Sequence, residues 1–120
     1  MTYVLLIYRS MPPDAPLPEV EEKAGLAAHR ALQAEASERG DLHAVAQLDE
    51  PRRARTVRWK EGGGGHDVTD GPYMETKEWL VGFYLVDCAT EEEALARGRS
   101  ICRDESHVIE VRPATWRWKA

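Results

Sequence analysis

His29, Asp70 and Arg112 are the side chains whose types could move a proton and hold an anion in this chain. An imidazole changes charge near neutral pH, and a carboxylate partner would raise its pKa toward the range useful for general acid–base work. On the segment that follows Pro18, Gly25, His29, Leu32 and Ala36 recur at steps of four, three and four residues. That spacing sets His29 on one helical face with Leu32 and Ala36. The same pattern suits a histidine satisfied within a core or an interface, and spacing alone favours that reading.

Asp70 opens Asp70-Gly71-Pro72, with Glu75 and Lys77 close behind and an apolar run from Trp79 to Cys88 beyond. Asp-Gly-Pro instructs a turn, because Gly71 accepts a positive φ and Pro72 fixes its own. Charge is thereby expected at the mouth of a core. On spacing alone Asp70 closes the turn through backbone N–H groups, since no nucleophile accompanies it. Arg112 lies in Val111-Arg112-Pro113. In a strand covered on both faces it would need a carboxylate or an anionic ligand. Tyr84 lies near Gly82, where missing side-chain bulk leaves room for a ligand or for a close backbone approach.

Other chemistries lack their signatures. Gly62 to Gly65 is not followed by Gly-Lys-Ser/Thr and a helix, so it is no phosphate loop. His29, His43, His66 and His107 are dispersed, without metal-ligand spacing. No Ser–His–Asp or Cys–His signature stands out, and no cofactor is implied. Cys88 and Cys102 flank a predicted helix and read as two small core residues.

The elements that must position these groups follow from periodicity. The 120 residues suit one domain, 1–120, with 42% hydrophobic and 31% charged residues, as in an ordinary globular protein. The net charge of −5 argues against nucleic acid, and Arg52, Arg53, Arg55 and Arg58 read as a solvated basic stretch. No apolar run approaches the ~20 residues of a membrane span. Without an export signal at Met1 to Arg9, a cytoplasmic location is expected.

Residues 2–9 alternate with both faces apolar, which predicts a central strand. A proline-rich loop over 10–18 leads to a helix from Pro18 to about Arg39, ended by Gly40. Strands are predicted over 42–48, 55–60, about 66–69, 79–88 and about 107–112. In the first of these Leu42, Ala44, Ala46 and Leu48 share one face. Thr90-Glu91-Glu92-Glu93 reads as a capping box, and its helix should face the core through Ala94, Leu95, Gly98, Ile101 and Cys102. Trp116 and Trp118 then alternate along a final extended segment.

This order predicts an α+β, ferredoxin-like arrangement: an antiparallel sheet with two helices on one face. Several strands are apolar on both faces, so a second copy of the chain is expected on the other face, as a homodimer packed sheet to sheet.

Val68-Thr69-Asp70-Gly71-Pro72-Tyr73-Met74-Glu75-Thr76-Lys77-Glu78, continuing to Gly82-Phe83-Tyr84-Leu85, resembles the YCII-related superfamily in the branch named for its Asp-Gly-Pro-Phe motif. Tyr3 to Tyr8, Ala46-Gln47-Leu48, Thr56-Val57-Arg58, Glu93-Ala94-Leu95 and Val108 to Pro113 extend the likeness over nearly the whole chain. Tyr73 replaces the motif's phenylalanine, keeping the ring and adding a hydroxyl. The resemblance implies a ferredoxin-like domain that dimerises into an α/β-barrel-like assembly. It also implies a histidine and an aspartate near a cleft: His29 is similar in context to the first, and Asp70 is the candidate for the second.

Some relatives look like dehydrochlorinases of aromatic breakdown products, and others like companions of extracytoplasmic-function sigma factors. Two functions are therefore carried forward. One is a small enzyme using His29 and Asp70 for elimination or isomerisation of a small cyclic or acidic metabolite. In it Arg112, Tyr73, Tyr84, Glu75 and Lys77 bind the substrate. The other is a non-catalytic ligand-binding or regulatory domain associated with a sigma factor.

Overall fold

The computed structural model describes residues 1–74 and 76–119. Its elements are β1 (Thr2–Arg9), α1 (Glu19–Glu38), β2 (Leu42–Gln47), β3 (Arg55–Trp59), β4 (His66–Asp70), β5 (Trp79–Asp87), α2 (Glu91–Ile101) and β6 (His107–Pro113). A short 3-10 turn, Pro51–Arg53, precedes β3.

Four strands form one sheet in the order β2-β5-β1-β6, with every neighbouring pair antiparallel. The two strands with the longest apolar stretches, β1 and β5, are thus the central ones. Residues paired across neighbouring strands share a sheet face. Tyr3, Leu5 and Ile7 stand opposite Val86, Tyr84 and Gly82, and Leu5 and Ile7 also face Val111 and Ile109. Leu32 and Ala36 of α1 and Ala94 and Ile101 of α2 join this face in one buried core. Both helices therefore cover the same side of an antiparallel sheet, an α+β architecture consistent with a ferredoxin-like fold.

Three local features depart from the sequence reading. A register shift between Leu42 and Ala44 sets Leu42 opposite Val86 on the helix-covered face, whereas Ala44 and Ala46 oppose Leu85 and Phe83 on the other. The unbroken alternation expected over 42–48 fails at this bulge. In α2 the buried set is Ala94, Arg97, Gly98 and Ile101, while Leu95 is exposed. Of the two cysteines, Cys88 is buried and Cys102 is exposed at the end of α2.

The capping box forms as the sequence predicts at its first contact. Thr90 Oγ1 accepts from the Glu93 backbone N–H at 3.1 Å, and Glu93 Oε2 reaches back to the Ala89 N–H at 3.2 Å. Arg97 is only 5% exposed, and its guanidinium donates to Glu35, Asp41, the Asp87 carbonyl and Cys88 Sγ. It ties both helices to the ends of β2 and β5.

β3 and β4 pair only with each other, as a separate two-stranded arm. Its neck is held by the Gly71 N–H on the Ala54 carbonyl (2.7 Å) and by Thr56 Oγ1 on the Gly71 carbonyl (2.8 Å). Gly71 has φ +94°, a conformation its glycine identity permits. Val57 stands opposite Val68, and Trp59 opposite His66, with Val57, Trp59 and Val68 more than half exposed. The arm contributes to a radius of gyration of 16.5 Å, against about 14 Å for a compact chain of this length.

Candidate functional site

Tyr84 brings its hydroxyl beneath α1 because β5 is central and its even-numbered residues from 82 to 86 point into the core. The ring is 1% exposed. Above it, one turn before the buried Leu32, the half-buried His29 places Nδ1 2.8 Å from the Tyr84 hydroxyl oxygen. The two rings stack with centroids 5.8 Å apart and planes 9° apart. Gln33, the next turn of the same helix, donates Nε2–H to the same oxygen at 3.2 Å. Residues 29 and 33 meet one point on the sheet because they are one helical turn apart.

Burial lowers the pKa of His29, and the neighbouring His107 lowers it further. Burial raises the pKa of Tyr84, against a smaller opposing effect of Gln33. The pair therefore consists of a neutral imidazole and an un-ionised phenol at neutral pH. His29 Nε2 has no hydrogen-bond partner among the described residues.

The end of β1 adds groups that the sequence did not single out. Arg9 stands opposite His107 on β6 and Trp79 on β5. Arg9 alternates with Ile7 and Leu5 onto the helix-covered face, the side that carries Tyr84. Among the described residues its buried Nε has no partner and its Nη2 meets the Met11 sulfur at 3.4 Å. Trp79 Nε1 donates to the Met11 carbonyl at 2.8 Å, fixing the proline-rich loop across the strand ends. His107 has its pKa lowered by burial, opposed by Asp104 and reinforced by Arg9. Arg9 and His107 were invisible as site residues because their approach depends on β1–β6 pairing. The sole signal in the sequence is a charge ending an apolar strand.

The other sequence candidates lie elsewhere. Asp70 is 91% exposed at the end of β4 and pairs with Arg55 at 3.2 Å, so its described partner is not His29. Among the described residues the turn it opens is closed by Ala54 and Thr56, not by the Asp70 carboxylate. Arg112 is exposed and pairs with Glu110 on the same strand. The strand covered on both faces that was expected around it is an edge strand, β6, where a solvated guanidinium needs no ligand. Tyr73 is exposed beneath the Arg58 guanidinium, 4.8 Å from its ring centroid. Lys77 is exposed in the loop before β5. Glu75 lies outside the described residues. Of the candidates, then, the structure joins His29 with Tyr84, and it adds Gln33.

The YCII-related domain profile matches residues 1–119 of this chain. The chain belongs to the YCII-related family. It is also similar to an uncharacterised protein of Rhizobium meliloti (strain 1021), with 37% identity over 115 residues, covering 94% of this chain and 91% of that protein. As a YCII-related protein it places the Asp70-Gly71-Pro72 motif at the neck of the arm and the His29–Tyr84 pair under α1. No helix among the described residues is long and apolar enough to cross a membrane.

Proposed function

We propose that this YCII-related protein is a small enzyme whose reacting group is His29, acting by acid–base chemistry on a small cyclic or acidic metabolite in an elimination or isomerisation. The observation that carries this reading is the His29 ring held at Nδ1 by the Tyr84 hydroxyl, which Gln33 in turn holds, with no partner at Nε2 among the described residues. Tyr84 takes the orienting role for which Asp70 was the sequence candidate.

The reading is tested by a thermal-shift screen of small aromatic and carboxylic acids against the wild type and His29→Ala. The expected result is a stabilising compound whose effect is lost in the variant. Turnover of that compound class should fall by about 10²–10⁴-fold in His29→Ala, the usual worth of a positioned proton-transfer group. Full turnover in the variant would overturn it.

The same proposal extends to a homodimer packed sheet to sheet, the barrel-like assembly. Its support is the uncovered sheet face, where Val4 and Leu6 stand opposite Leu85 and Phe83, and Ala44 and Ala46 continue the patch. Exposed Trp116 and Trp118 add apolar surface beyond β6. Light scattering should give twice the chain mass for the wild type and the chain mass for Phe83→Asp. A wild-type monomer at the same concentration would refute the dimer.

A further inference from the structure

We infer that Gln33 is a positioning residue that fixes which nitrogen of His29 carries the proton, leaving Nε2–H as a hydrogen-bond donor toward a carbonyl or carboxylate oxygen of the bound molecule. This deepens, and rests on, the reading of His29 as the reacting group.

The tautomer follows from the donors and acceptors around one buried oxygen. The Tyr84 hydroxyl has one proton to give and lone pairs to receive. Its described partners are His29 Nδ1 and Gln33 Nε2. The amide NH₂ of Gln33 can only donate, so it occupies a lone pair of the hydroxyl. Among the described residues the phenolic proton, buried with its ring, then has one acceptor in place, His29 Nδ1. An unmade hydrogen bond at a buried hydroxyl costs roughly 1–3 kcal/mol, enough to select one arrangement over the other. Nδ1 therefore accepts, and the neutral ring carries its proton on Nε2.

The consequence is chemical. Neutral His29 has Nε2–H, and protonated His29 has Nε2–H as well. In the neutral ring Nε2–H is a donor that polarises an oxygen by hydrogen bonding, the ring keeping its proton, and proton abstraction at Nε2 requires the other tautomer. Molecules that present a carbonyl or carboxylate oxygen at that point are the matching class. Reversing the roles at Gln33, with an acceptor in place of the amide NH₂, reverses the result. Tyr84 would then donate to residue 33 and accept from His29 Nδ1–H, and Nε2 would become a base.

The test is nitrogen-15 NMR of the imidazole ring in the whole protein, above neutral pH, where His29 is uncharged. In the wild type Nε2 should show the signature of a nitrogen bearing hydrogen and Nδ1 that of a bare one. In Gln33→Glu the two signatures should exchange, and in Tyr84→Phe the bias should collapse to a mixture. A wild-type proton on Nδ1, or Gln33→Glu leaving it on Nε2, would overturn the inference. A merely structural glutamine would not move the proton. No substrate or turnover enters this measurement, so its failure is distinct from full activity in His29→Ala, which would remove the functional reading and leave the tautomer as found.

Discussion

His29 Nδ1 and the Tyr84 hydroxyl, 2.8 Å apart, join the middle of α1 to the centre of the sheet through residues 55 positions apart in the chain. The contact exists only once β1, β5 and α1 are assembled, so it reports on the tertiary fold as well as on the site.

Removing that hydroxyl separates the two roles. Tyr84→Phe keeps the buried ring and strips His29 and Gln33 of their shared partner. A loss of about 1–2 kcal/mol of stability is expected, because both orphaned groups are only half buried and can recover water. Chemical denaturation reads this directly, through a lower midpoint with an unchanged slope. A loss well above that range would mean the hydroxyl holds the core together rather than the site.

Acid should weaken the fold in two stages. His29 and His107 both have folded pKa values below the ordinary 6.5, chiefly through burial. Between the folded and unfolded values the unfolded chain binds more protons, so stability is full above 6.5 and falls as pH drops through the folded pKa values. Asp104, lowered first by its Ser106 hydrogen bond, acts lower still. Asp87 joins it, because the Thr2 hydroxyl and His43 outweigh the effect of burial. Their contribution is lost as pH falls below 3.8 through their folded values. Melting temperature against pH should show both stages, and His29→Gln should shrink only the first.

Gly82→Ala should disrupt the sheet at β2. A Cβ there would sit against the backbone carbonyl of Ala46 at a separation no real Cβ adopts, and the atom in the way belongs to the paired strand. The missing bulk serves close backbone approach, not a ligand. Overpacking of this kind costs typically 1–3 kcal/mol, and more where backbone must shift. Amide exchange should speed up along Ala44 to Gln47 before it does in β1.

Arg97→Leu should be the most damaging single change of this group. It removes the buried cation from the Asp87 carbonyl, Glu35 and Asp41, the two acids keeping Arg39 as a partner, at a cost of about 3 kcal/mol. Arg97→Lys should recover little, since one ammonium cannot span the same acceptors. Thermal denaturation of the two variants side by side checks both statements.

How far the sequence carried differs between fold and site. Strands β1 and β5 are long apolar runs, and Pro18, Gly40 and Thr90 mark helix ends by local chemistry, so element order and the α+β class were legible. His29 was legible because its helical spacing with Leu32 and Ala36 aims it at the sheet. Arg97 was not, because a charged residue reads as solvent-facing unless its acidic partners are known, and Glu35 lies on α1 and Asp41 in the turn after it. Asp70 attracted notice through its turn, but a turn's neighbours are set by which strands pair, and β4 pairs with β3 alone.

The arm has a bearing on how the molecule opens. A two-stranded hairpin alone in water is marginal, and this one is fastened at Ala54, Thr56 and Gly71. It can therefore melt as a unit of its own while the four-stranded sheet and both helices stay intact. A cut by a protease at the glycine tip, residues 62–65, would leave two frayed strands hanging from a folded body. The Asp-Gly-Pro motif would then exchange its amides on a faster clock than the His29–Tyr84 pair.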